Sequence, residues 1–408
     1  MRRRDFLLGA AAAVALRGQS AGEDLAGAGS VVFVQDDTVW IRRLPDGAPR
    51  AVAAGKNVFG LKFSPSGEWL VFHGNEETVR LISADGTISK SWQGIGQWLP
   101  GKDHLAVTTD DRSSIFGPED GWTAPQIAFD GSLLGVSPDG KQRVWIAETD
   151  RKRLMAGPPD GSARAIAETV EGGFELLGFL RDNRFLYWTT DEEGADVWSY
   201  PLDIWLGGGE KAVPTGLKSC MGEDNNMVSL CAKTGMLALT SGDDKLIDHG
   251  RGIVTVDVSR SGFNPRQITK PDVSAVWPAW SPDGEKLAWT AAPDSERLMD
   301  KLAKDNPSIT WGEVWKEAGM LRRIWIASGR GADDPVQLTN DDRYEDHAPI
   351  WSRDGRYILF SRLDRDLDMT VWLMRADGSG ATQVGVISST GEPGMYGLPG
   401  LFDWSERG

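Results

Sequence analysis

One short pattern recurs along the chain and constrains its fold more than any other feature. The clearest copies are WSPDGEKLAWT at 280–290, WSRDGRYILFS at 351–361, FSPSGEWLVFH at 63–73 and VSPDGKQRVWI at 136–146. Weaker copies begin at Leu99, Phe179 and Leu230. Each opens with an aromatic or aliphatic residue, turns through Pro, Asp or Gly, and then alternates apolar residues with others. Proline presets φ at one turn position and glycine supplies the positive φ needed at another, so the chain reverses between two strands. The alternation that follows is the period of a strand with one buried face. Downstream, VWIRRLPDG from Val39, VRLISADG from Val79, IWIASGRG from Ile324 and VWLMRADG from Val371 read as third strands ending in a second turn. Copies start between 36 residues apart (63 to 99) and 71 apart (280 to 351). A four-stranded antiparallel sheet repeated in this way predicts an all-β chain, a single β-propeller with the longer spacings absorbed in loops.

The two ends complement each other. The C-terminal LFDWSERG starts a copy that has no room to continue, and SVVFVQDDTVWIRRL near the N-terminus lacks a first strand. Together they predict one blade, with a C-terminal strand over 401–405 pairing with the N-terminal strands and leaving no open sheet edge. Seven internal copies plus this closing blade give eight four-stranded blades over 29–408; seven is the alternative if the copy at Leu99 or Leu230 is only a loop. Residues 294–320 depart from the pattern and predict a helical insertion in blade seven, with Pro307 near a helix start and Gly319 at a helix end. Leu298, Met299 and Leu302 would share one face, and Trp311, Val314 and Trp315 another. These faces either pack on the propeller rim or form an exposed arm in which Trp311 and Trp315 are candidate partner-binding residues.

The W-S-P-D-G turn followed by an apolar strand, as at 280–290, and the strand ending in D-G-x-G, as at 371–380, resemble the repeat of the TolB family of β-propellers. The resemblance covers essentially all of 29–408. It implies a fold more than an activity, because the same repeat occurs in periplasmic scaffolds, peptidase propeller domains and some polysaccharide lyases. A separate helical N-terminal domain like that of TolB does not fit, since repeat residues begin at about Ser30.

Residues 1–28 read as a signal peptide: a charged MRRRD start, an apolar run from Phe6 to Leu16, then small and polar residues. Eleven helical residues rise only about 16 Å, short of the roughly 30 Å hydrocarbon core, so a membrane span is not expected. Arg3-Arg4-Asp5-Phe6-Leu7 resembles a twin-arginine signal, which implies export of an already folded protein. Ala26-Gly27-Ala28 offers a cleavage site before Gly29, with a cut near Ala21 as the alternative. The expected location is periplasmic or extracytoplasmic, as a soluble monomer with no span in the mature chain. A net charge of −15 without a basic stripe argues against a nucleic-acid partner. An oxidising compartment would let Cys220 and Cys231 form a disulfide; the alternative is two small buried thiols.

Chemical motifs are sparse. Gly18 to Gly22 matches G-x-S-x-G but lies in the signal region, without the strand-turn-helix setting that exposes a nucleophile. His73, His104, His249 and His347 lack the close helical spacing of a zinc protease. His347 stands apart because Tyr344-Glu345-Asp346-His347 leads into the innermost strand of blade eight. Aligned turns put Phe59, Ser132, Glu175, Asn226 and Val276 opposite His347. Glu175, Asn226, Asp346 and His347, with Trp277 beside them, therefore form the candidate ligand-binding mouth on the propeller axis. No catalytic residue, metal or cofactor is predicted, since the lyases that this repeat resembles draw several histidines from neighbouring blades. Asp364, Asp366 and Asp368 do not make a calcium loop: Met369 and Arg375 stand where an EF-hand has Gly and Glu. The sequence thus points to a non-catalytic exported scaffold that binds an envelope protein or glycan. The alternative is a polysaccharide lyase or hydrolase with an axial, metal-dependent site.

Overall fold

The computed structural model describes residues 28–74, 78–109, 112–148, 152–158, 162–169, 173–190, 202–209, 211–219, 227–241, 251–270, 273–331, 333–366, 368–388 and 398–405. Its strands form eight separate four-stranded antiparallel sheets, the blades of one propeller ring. From blade two to blade eight the innermost strands are Phe59–Phe63, Ile95–Trp98, Ser132–Val136, Gly173–Phe179, Val228–Cys231, Val276–Trp280 and Tyr344–Trp351. The two weak copies at Leu99 and Leu230 are therefore blades, and the count is eight. In blade one the innermost strand is Phe402–Ser405, which pairs with Ser30–Gln35 through Val31 opposite Trp404 and Phe33 opposite Phe402. The C-terminal strand closes the ring, as the two incomplete copies predicted.

The repeated Ser-x-Asp-Gly turn owes its strength to local hydrogen bonds. Ser281 Oγ donates to Asp283 Oδ1 at 2.6 Å and accepts the Lys286 backbone N–H at 2.9 Å. The same exchange joins Ser137, Asp139 and Gln142, and again Ser352, Asp354 and Tyr357. Gly284, at φ 76°, takes the left-handed position that a side chain would strain.

Tryptophan at or just before the start of the motif has a second task. The inner edge of each innermost strand faces the axis and, among the described residues, pairs with no strand. Trp98 Nε1 donates to the carbonyl of Lys62, Trp280 Nε1 to Ser229 and Trp351 Nε1 to Ala279, at 3.0–3.1 Å. Each indole thus reaches back to the preceding blade and satisfies a carbonyl of its inner strand.

Two helices, α1 (Ser295–Asp305) and α2 (Trp311–Gly319), form the insertion between the second and third strands of blade seven. Helix α2 starts at Trp311, later than Pro307 suggested, because Thr310 and Glu313 form a capping box: Glu313 N–H donates to Thr310 Oγ1, and Thr310 N–H to Glu313 Oε2. Met299, Val314 and Ala318 are buried together, with Leu302 and Ile309 against them. The two faces expected to be separate therefore meet each other. The side chains of Trp311 and Trp315 lie outside the described residues, as do residues 1–27, Cys220, Asn226 and His249. Cys231 is a buried thiol at the junction of blades six and seven. No helix among the described residues is long and apolar enough to cross a membrane.

Candidate functional site

The axial mouth is built from a shared irregularity of the inner strands. In blades two, seven and eight the register jumps after Phe59 opposite His73, Val276 opposite Thr290, and His347 opposite Ser361. The next residue has positive φ in each case: Gly60 at 64°, Trp277 at 53° and Ala348 at 50°. Phe59, Val276 and His347 are thus equivalent, as the aligned turns predicted. Holding Trp277 and Ala348 there stores roughly 1–3 kcal/mol each.

His347 is fully buried, and its Nε2 lies 3.2 Å from Glu345 Oε1. Trp277, also buried, meets the imidazole edge-on across the junction of blades seven and eight, with centroids 5.0 Å apart. On its other side Trp277 packs with Met227 and Val276. Asp346 is fully buried and accepts a hydrogen bond from Arg362 Nε at 2.7 Å. Arg362 is held in turn among the rings of Tyr344, Phe360 and Trp372. Buried Arg323 donates to the carbonyls of Met320, Arg322 and Tyr344, linking the end of the insertion to blade eight. Glu345 fills the space beside Gly319, where an added Cβ would collide with its Oε2.

The charges respond differently to burial. Burial raises the carboxyl of Asp346, and Arg362, Thr339 and Arg323 offset only part of that, so it titrates above its ordinary range. Burial also pushes Glu345 upward, but His347, Arg322 and Arg323 outweigh it and the net shift is downward.

The structure therefore brings together Trp277, Asp346 and His347, and turns all three into the blade junction rather than toward solvent. Glu175 is apart from them in blade five, half-buried, with Oε2 accepting the Trp188 indole N–H at 3.0 Å. The sequence reading missed Glu345, Arg322, Arg323 and Arg362 as members of the cluster. Its available signal was Arg362, which stands where two other copies carry Ala291 and Gly74. What the mouth exposes is apolar: Phe59 is 51% exposed and stacked on His73, and Ile95 is 65% exposed. His73 Nε2 accepts the Gly96 backbone N–H at 3.0 Å, joining blades two and three. Among the described residues no three His, Cys, Asp or Glu side chains group in a way that would hold a metal ion.

Below the mouth, a cavity of about 590 Å³ runs along the inner strands of blades six, seven and eight and also touches Lys62 of blade two. Blades two and six stand opposite each other in a ring of eight, so this cavity is axial. A second cavity of about 360 Å³ lies against blades three to six, lined by Trp98, Leu134, Leu176 and Phe179 among others.

Several solved structures share this architecture. The dihydro-heme d1 dehydrogenase NirN, in complex with DHE, matches with TM-score 0.57 and 12% identity, over 89% of this chain and 74% of that one. A eukaryotic initiation factor matches with TM-score 0.53 and 11% identity, over 88% and 86%. The putative TolB of Agrobacterium tumefaciens matches over 88% and 89% with 15% identity and TM-score 0.36. No family model matches the chain, and no curated protein matches its sequence. At these identities the likenesses show one thing, the propeller fold.

Proposed function

We propose that the chain is an exported, non-catalytic scaffold, a rigid ring that presents its loops and a helical arm to a protein or glycan of the cell envelope. The observation that carries this reading is the burial of Glu345, Asp346 and His347. Glu345 engages His347 and Asp346 engages Arg362, so these three buried groups offer no solvent-facing acid or base to a substrate. The arm has its own small core and is tied to blade eight by Glu317 and Arg365 at 2.7 Å, which suits an outward-presented element. Export rests on the twin-arginine-like Arg3-Arg4-Asp5-Phe6-Leu7 segment.

The test is cross-linking and recovery from the native envelope with the full chain and with a variant lacking residues 294–320. Turnover assays on acidic polysaccharides with manganese or calcium run alongside. A specific partner lost on deletion, with no turnover, is the expected result. Metal-dependent turnover abolished by His347→Ala would make the protein an enzyme and overturn the reading.

A further inference from the structure

We infer that the larger axial cavity is a small-molecule site for an anion with a flat apolar body, typified by an aromatic carboxylate. Trp277, Trp280, Trp351, Pro278, Pro282 and Pro349 give rigid apolar walls, and the volume of about 590 Å³ is that of a drug-sized ligand. Its charged lining residues are Lys62 and Arg353, both cationic, with no carboxylate in the lining. In a chain of net charge −15, that is a local reversal of sign.

Two of the three indole N–H groups in the walls are already engaged and that of Trp277 is buried without a partner, so the charged groups that can recognise a ligand are the two cations. The indole N–H groups of Trp280 and Trp351 donate to the carbonyls of Ser229 and Ala279, so these rings offer the cavity an apolar surface. Arg353 gives one N–H, on Nη1, to the carbonyl of Pro65 at 2.8 Å, which fixes the guanidinium on the turn face of the ring. A guanidinium has five N–H donors, so this bond does not exhaust its capacity. Lys62 lies 3.9 Å from Asp403, and that carboxylate also accepts the Phe63 backbone N–H at 2.8 Å. Asp403 is thus held by the backbone, and its long contact leaves Lys62 only weakly neutralised. An anion seated between Lys62 and Arg353 would gain charge-assisted hydrogen bonds while its body displaces water from the prolines and indoles.

This site goes beyond the scaffold reading and includes no residue of the helical arm, so removing 294–320 deletes none of its lining. The experiment is calorimetric titration of the full chain with naphthalene-2-carboxylate and with the uncharged naphthalene-2-methanol. The carboxylate should bind one to one and roughly tenfold or more tighter than the alcohol, as expected for a charge-assisted contact. The double variant Lys62→Gln/Arg353→Gln should erase that preference while keeping the alcohol's affinity and the melting temperature. Failure of the carboxylate to bind at millimolar concentration, equal affinity for both probes, or a preference that survives the double variant would each overturn the site. The variant lacking 294–320 should bind both probes as the full chain does, so the fate of the scaffold reading and of this site are read separately.

Discussion

Trp277 and His347 meet edge to face across the junction of blades seven and eight, 5.0 Å between centroids and 66° between planes. Each belongs to the irregular stretch of its inner strand, and each is buried. An aromatic pair in this geometry adds about 0.5–1.5 kcal/mol beyond the area it buries. The pair adjoins a polar cluster that joins two blades and the foot of the insertion.

Asp346 and Arg362 form a buried ion pair with Nε and Oδ1 2.7 Å apart. Removing one partner leaves the other charge buried, which typically costs about 3–5 kcal/mol. Arg362→Met should therefore lower the midpoint of denaturant unfolding sharply, and Asp346→Leu in the same chain should recover part of the loss. A single variant as stable as the parent would mean that the pair contributes nothing.

Trp351→Phe keeps an aromatic ring but removes the N–H that reaches the Ala279 carbonyl at 3.0 Å. The freed carbonyl borders the axial cavity, where water can replace the indole, so the loss should be about 0.5–1.5 kcal/mol. Urea unfolding should show a lower midpoint with an unchanged m value. A loss of several kcal/mol would show that the indole acts mainly through packing.

The turn carboxylates make stability sensitive to acid. Hydrogen bonds from Ser83 and Thr87 hold the Asp85 carboxyl at about 2, below its ordinary 3.8. A folded value below the unfolded one stabilises the fold fully above pH 4, and that contribution is lost as pH falls through about 2. Asp346, raised by burial, has the opposite sign, because it takes up a proton more readily in the folded chain than in the unfolded one. Asp85→Asn should flatten the acid limb of the melting-temperature profile below pH 4 and leave the profile near pH 7 parallel to the parent's. An unchanged acid limb would remove Asp85 from the account.

What the sequence made legible and what it hid follow from how local each feature is. The Ser-x-Asp-Gly turns at Ser281 and Ser352 are closed by bonds spanning five residues, so their chemistry is visible in one short string. Equivalence of Phe59, Val276 and His347 was visible too, because turn-to-turn spacing is conserved within the inner strands. The cluster around His347 was not, since Glu345 faces Arg322 and Arg323, which follow a long insertion, and Asp346 pairs with Arg362 of the neighbouring strand. The helix start lies four residues beyond Pro307 for a local reason: the Thr310–Glu313 box sets the boundary.

Ring closure gives the last prediction. Phe402 is fully buried and stands opposite Phe33 in the strand pair that completes blade one. The innermost strand of blade one comes from the other end of the chain than its three partners, so it is held by non-covalent contacts: backbone pairing, buried Phe402, Asp403 on the Phe63 N–H, and the Trp404 indole on the Ala28 carbonyl. Deleting residues 401–408 should therefore leave Ser30–Gln35 as an open edge, lower the melting temperature, and promote self-association through that edge. The synthetic peptide LFDWSERG should restore the melting temperature in a concentration-dependent way, because a ligand that binds only the folded state stabilises it by mass action. The same peptide with Phe402→Glu should not, since it would bury a carboxylate against Phe33. A truncated chain that melts like the parent, or equal rescue by both peptides, would show that the C-terminal strand is not what closes the ring in solution.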